Sequence, residues 1–219
     1  MTDSPTLPSM IRRVLGLSAL AIAFAAPLGA QAYNYPAMQT SRISEREYNF
    51  VLADGGGSGT ALVLQWREGL GNQKLQFTLD AGFADPDGAG AETRLILGGG
   101  LHYQLTTSTA DMPFDIVLGG GLGASFGDNV TFIRLPFGAS IGHRFPLEGN
   151  FAITPFVHPR LTWDRASSNG ASVSETNLDL DIGANFELNA QMAFRVAAGL
   201  GNSDAIGLSF AWTPRGLRK

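Results

Sequence analysis

The chain holds no cysteine and only three histidines, so the chemistry open to it is narrow. Without cysteine there are no disulfides, thiolate nucleophiles or thiolate-ligated metals. Acyl-transfer chemistry needs a serine, a histidine and a carboxylate in mutual reach. His102, His143 and His158 sit in no local signature of that kind, and a lipid-directed active site is therefore the alternative reading. The string Gly119-Gly120-Gly121-Leu122-Gly123-Ala124 has the outline of a dinucleotide fingerprint. That motif must open a helix, whereas Ser125 to Ile133 reads as a Gly-Asp turn and another strand. Asp85-Pro86-Asp87-Gly88 with Glu92 offers oxygen ligands but lacks EF-hand spacing and reads as an acidic turn. No metal and no cofactor is expected. A formal charge of -4 with no basic patch gives no support for nucleic-acid binding.

The elements that must position these side chains are strands. Charged residues are 16% of the chain and glycines number 28, a composition that disfavours disorder and charged surface helices. Beyond residue 32 no 3.6-residue periodicity persists, whereas alternation of period two recurs almost to the end. In Lys74 to Phe83, for example, Leu75, Phe77, Leu79, Ala81 and Phe83 share one face, with Gln76, Thr78 and Asp80 on the other. The same split predicts strands at 44–54, 60–67, 74–83, 93–106, 113–125, 129–145, 150–165, 175–188, 190–200 and 204–213. Gly-, Asn- and Asp-rich turns separate them, and no connection is long enough for a helical crossover. The expected fold is all-β, an up-and-down antiparallel barrel of about ten strands, with eight as the alternative. Thr107 to Met112 would fold Gly98, Gly99 and Gly100 against Gly121, Gly120 and Gly119, implying a bent wall or a bulky neighbour.

The N-terminus reads as a signal peptide over 1–32. Arg12 and Arg13 precede the apolar run Val14 to Leu28, and Ala30-Gln31-Ala32 offers the cleavage site. The run is shorter than the roughly 20 residues of a spanning helix. Met10 would start a more compact signal than Met1. Residues 33–43 follow as an extension, 44–213 as the barrel and 214–219 as a basic tail.

Alternation alone does not separate a membrane barrel from a soluble, lipocalin-like one with an apolar interior. Three features favour lipid. Many strands reach the roughly 9 to 11 residues that cross a bilayer at a tilt. With the N-terminus periplasmic, alternate strand ends carry Tyr48, Trp66, Phe77, Tyr103, Phe114, Phe145, Phe151, Phe186, Phe194 and Trp212, an aromatic girdle, while Phe83 and Trp163 mark the opposite interface. The longest predicted loops, 84–92 and 166–173, fall on the outer side. The polar face is rich in glycine and alanine, which suits a crowded lumen. Parity assigns to that lumen Arg67, Lys74, Asp80, Arg94, His102, Asp115, Arg134, His158, Arg160, Asp164, Asp179, Asp181, Glu187 and Arg195. Both signs are present, which reads as a structural ion-pair network, with Asp181 and Arg195 nearly opposite across the 186–191 turn. A selective pore is the functional alternative.

On this pattern, over about residues 44–213, the chain resembles small bacterial outer-membrane β-barrel proteins of the OmpA, OmpW and opacity-protein kind. The last strand, Gly207-Leu208-Ser209-Phe210-Ala211-Trp212, looks like the aromatic-ended assembly signal of such proteins, although Thr213 to Lys219 follow it. The resemblance implies an outer-membrane location, with lipid or lipopolysaccharide around the barrel and the barrel-assembly machinery as a partner in biogenesis. It also implies a non-enzymatic role in envelope structure, surface contact or limited passage of small solutes.

Overall fold

The computed structural model describes residues 38–55, 59–71, 74–88, 91–127, 129–201 and 204–214. The signal peptide, the choice between Met1 and Met10 and the tail from 215 onward lie outside the described residues.

Period-two sequences become strands, and their backbone groups must find partners. Here they do so by closing on themselves. The strands are β1 (Arg46–Asp54), β2 (Thr60–Leu70), β3 (Leu75–Asp85), β4 (Arg94–Thr106), β5 (Asp115–Phe126), β6 (Val130–Gly142), the two-residue β7 (Phe145–Pro146), β8 (Ala152–Ser168), β9 (Ala171–Glu187), β10 (Met192–Leu200) and β11 (Ala205–Trp212). Each long strand pairs antiparallel with its neighbours, β1 pairs with β11, and β6 pairs with β8 across the short β7. The result is a closed barrel of ten long strands, which settles ten against eight. Closure leaves no sheet edge along the paired span, the condition for β-structure in lipid. The Gly119–Ala124 string lies within β5, not at a helix start.

Alternation sorts the side chains by face, and the sorting is inverted relative to a soluble barrel. The exterior carries the large apolar residues: Phe137 is 63% exposed, Phe83 59% and Leu62 58%. The interior carries Gln65, Arg67, Gln76, Arg134, Asp164 and Arg195, all buried. The soluble alternative required an apolar lining and a wet exterior, so this arrangement removes it. The lumen is not wholly polar, however. Val51, Val63, Ile96 and Ala84 form an apolar lining on the β1–β4 wall, facing the charged β6–β9 wall.

Three local expectations change. The predicted loop 166–173 is strand almost throughout: β8 and β9 pair up to Ser168 and Ala171, turning on Asn169 and Gly170 at φ 48 and 82. Both central residues are left-handed, as an Asn-Gly hairpin turn requires. At about 3.3 Å per residue each of these strands runs on the order of 55 Å. Residues 171–179 of β9 pair only with β8, because pairing with β10 begins at Leu180. Second, long connections are not confined to the outer end, since 107–114 and 143–151 lie at the end where β1 begins. Third, the predicted strand 129–145 stops at Gly142, where His143 hydrogen-bonds the Pro113 carbonyl and Arg144 turns to Glu187.

The predicted aromatics occupy the exterior parity. At the N-terminal end Tyr48 stacks on Trp212 at 5.7 Å, and Trp66 meets Phe77 edge-on at 5.3 Å. Tyr103, Phe114, Phe145 and Phe151 are exposed around the same end, and Phe186 and Phe194 are half-buried cross-strand partners. Trp163 stands apart from these, beside Leu135 of β6. Arg46 and Glu68 also lie on the outer face of this end, paired at 2.5 Å, and Trp66 donates to Glu68 at 3.1 Å.

Candidate functional site

The lumen collects nearly every charge that alternation turns inward, in three groups. At the mouth, Glu47 of β1 accepts from Arg195 Nη2 at 2.6 Å and Nη1 at 2.9 Å, and lies 3.5 Å from Arg67 Nη1. Asn185 accepts from Arg195 Nε at 2.9 Å, and Asn49 hydrogen-bonds both Arg195 and Glu47. One carboxylate therefore serves two guanidinium groups, each no more than 3% exposed. On the opposite wall Arg134 holds Asp164 in a bidentate pair, both contacts 2.7 Å. Below it Asp181 takes Arg160 and His158, each at 3.2 Å, and Asp179 accepts from Thr162 at 3.1 Å. Removing such charges from water is expensive, and only close pairing with full hydrogen bonding compensates.

The third group is built by the chain before β1. Of the extension assigned to 33–43, residues 38–43 are described, and Met38, Gln39, Thr40 and Ser41 are buried inside the barrel. Arg67 Nη2 donates to the Met38 carbonyl at 2.9 Å, Ser140 to that of Gln39 at 2.7 Å, and Gln104 to that of Ser41 at 2.9 Å. Gln104 Oε1 accepts from the Ile43 amide at 2.9 Å. Arg42 donates to Asp115 at 2.8 Å, and Asp115 also accepts from the Ser108 amide at 2.7 Å.

Several sequence assignments change here. Lys74 is not in the lumen: it is exposed in the turn before β3, because that strand begins only at Leu75. Asp181 and Arg195 do not face each other: Arg195 lies opposite Asn185 and Asp181 opposite Gly199. The short 188–191 connection fixes that register and leaves Arg195 to Glu47. Asp80 lies on the inner face beside a central cavity, and the half-buried Arg94 at the head of β4 lies against Gly127. Glu47, the centre of the mouth cluster, was missed in sequence, although the outward parity of Tyr48, Phe50 and Leu52 turns it inward. Arg42 was also missed, because no strand pattern covers it, and so was Arg144, although the predicted strand 129–145 turns it inward.

The glycine wall is offset by two residues from the expected pairing, and the offset is set at the turn, where Thr106 pairs with Ile116. The slip between Gln104 and Thr106 takes back one residue of that offset, and Gly100 faces Gly121 while His102 faces Gly119. The bulky neighbour is His102, whose Nδ1 would lie 2.4 Å from a Cβ on Gly119. Gly119→Ala is expected to destabilise the barrel by about 1–3 kcal/mol through this overlap. Denaturant midpoints check it, because adding His102→Ala should recover most of the loss. A Gly119→Ala barrel as stable as the parent would remove the steric account.

Two cavities flank the buried segment. A central one of about 70 Å³ is lined by Gln39, Arg67, His102, His158 and Arg160 among others, well below the roughly 300 Å³ of a typical ligand site. A vestibule of about 450 Å³ at the mouth is lined by Thr40, Arg42, Ser44, Glu45, Arg144 and Glu187 among others. Arg144 and Glu187 pair across it at 2.7 Å.

The alternative chemistries find little here. Among the described residues no serine or threonine hydroxyl is hydrogen-bonded to a histidine ring, and His143 stands at the mouth against Phe145 at 4.6 Å. Among the same residues no group of three acidic or histidine side chains is placed to hold a metal ion.

No protein-family model and no curated protein sequence matches the chain. Among solved structures it is similar to a KdgM porin, at 9% identity and a TM-score of 0.38 over 78% of this chain and 99% of the other. A KdgM porin in complex with disordered oligogalacturonate aligns at 8% identity and the same TM-score and coverage. At that level of superposition, the reading of the fold rests on the barrel's own strand pairing and the polarity of its two faces. The resemblance to the OmpA, OmpW and opacity-protein kind extends to the class of barrel and not to a family.

Proposed function

We propose that the chain is a non-enzymatic outer-membrane β-barrel protein that contributes to envelope structure and permits limited passage of small solutes. One observation carries the reading: a closed ten-strand barrel whose exposed face is apolar and whose buried face is charged and hydrogen-bonded. Contiguous exposed apolar surface on this scale is unstable in water and is what a bilayer requires. Aromatic residues gathered at one rim fit an interface with headgroups. The narrow, ion-paired interior supports restricted passage rather than a wide pore. We place the N-terminal end in the periplasm, a choice supported by the long β8–β9 hairpin projecting at the opposite end. Lipopolysaccharide around that outer end and the barrel-assembly machinery during insertion are the partners this location entails.

The test is extraction and mobility. The protein should require detergent for extraction and run faster on gels before boiling than after. Recovery in the aqueous fraction without detergent, with one mobility throughout, would exclude a membrane barrel.

A further inference from the structure

The segment before β1 lies between the two cavities. Gln39 lines the central one, and Thr40 and residues 42–45 line the vestibule. Met38, completely buried, joins the apolar lining formed by Val51, Val63, Ile96 and Phe156. One stretch of chain thus lies between the mouth and the interior.

The way this stretch is held makes it separable from the wall. Residues 38–45 pair with no strand, and β1 closes the barrel against β11 without them. They are tethered through side chains: Arg67, Ser140, Gln104 and Gln76 of the wall donate to their carbonyls, Gln104 accepts from the Ile43 amide, and Arg42 pairs with Asp115. A backbone bond from Gly69 to the Glu45 carbonyl, at 2.7 Å, marks the point where the segment joins the sheet. Withdrawal would break these tethers and no rung of the barrel. The seat is also shaped to the segment: a Cβ on Gly142 would lie 2.7 Å from Ser41 Oγ. Met38 is held at φ 50, a left-handed conformation rarely adopted outside glycine, so its seated form carries backbone strain.

We propose that residues 38–45 are a plug that closes the periplasmic mouth of the barrel, and that its displacement joins the vestibule to the central cavity and opens the path through the lumen. This rests on the membrane-barrel reading above.

Purified full-length protein and a variant lacking residues 38–44 would be compared in planar bilayers containing potassium chloride. The parent should be closed most of the time with brief openings, and the deletion should raise the mean conductance severalfold. A second variant, Ser140→Ala with Gln104→Ala, keeps the segment and removes two tethers, so it decides the matter if the deletion does not fold. It should open more often than the parent. Ser41→Cys, in this cysteine-free chain, should react slowly with a maleimide in the parent background and faster with the tethers removed. If the variants that keep heat-modifiable mobility conduct no more than the parent, the plug is overturned while the barrel stands. If the parent itself shows no heat-modifiable form, the membrane reading fails instead.

Discussion

Glu47→Gln should be among the most damaging conservative substitutions in this barrel, destabilising it by about 3–5 kcal/mol, the range for breaking a buried ion pair from one side. The carboxylate lies between Arg195, at 2.6 Å, and Arg67, at 3.5 Å, and both arginines are enclosed. An amide in its place is nearly isosteric and keeps an acceptor, yet it removes the carboxylate that both guanidinium groups share. The other side chains that hydrogen-bond Arg195, Asn49 and Asn185, are neutral. Denaturant midpoints of the detergent-folded barrel, read by heat-modifiable mobility, measure the loss. The double variant Glu47→Gln with Arg195→Met should recover much of it by removing one stranded charge. Glu68→Gln is the control, because its pair with Arg46 lies at the outer rim and should matter far less. A Glu47→Gln barrel within about 0.5 kcal/mol of the parent would show that the cluster holds nothing together.

Why Glu47 escaped the sequence reading while Arg134 and Asp164 did not follows from how a strand pattern carries information. Ile133, Leu135 and Phe137 mark parity over many residues, so the facing of Arg134 is legible from its own strand. Parity gives a facing, however, and not a partner. A match of Arg195 to Asp181 depends on where the 186–191 turn falls, and the turn observed sets Arg195 against Asn185 instead. The same holds for the glycine triplets: the turn after β4 sets Thr106 against Ile116, the slip at Gln104 and Thr106 takes back one residue, and His102 ends over Gly119. The barrel itself was legible because closure needs only the alternation and the turns. The buried segment was not, because residues 38–45 have neither helix nor strand periodicity, and their seat is composed of side chains from β2, β3, β4, β5 and β6. Asn169-Gly170 is itself an Asn-Gly turn signal, but it sits in a stretch of small polar residues without alternation, so the predicted loop 166–173 is longer than the turn observed.

A charge placed on the exterior tests the membrane reading more directly than any change in the lumen. Leu64, in the middle of β2, is 46% exposed, and Leu70, at the rim end of the same strand and on the same face, is 39% exposed. Water would treat these two positions alike. A bilayer would not, because arginine costs about 2–4 kcal/mol at the midplane and about 0–1 near the interface. Leu64→Arg should therefore lower the free energy of folding into phospholipid vesicles by the larger amount, and Leu70→Arg by the smaller. Side-chain length and strand propensity are matched, so the difference between the two variants isolates depth. In a barrel with a wet exterior both substitutions would be close to neutral, since each exchanges an exposed leucine for a solvated cation. Equal and small effects would thus contradict the lipid-facing assignment, however well the lumen's ion pairs are formed. A difference of about 2 kcal/mol between them would place the waist of β2 in the hydrocarbon.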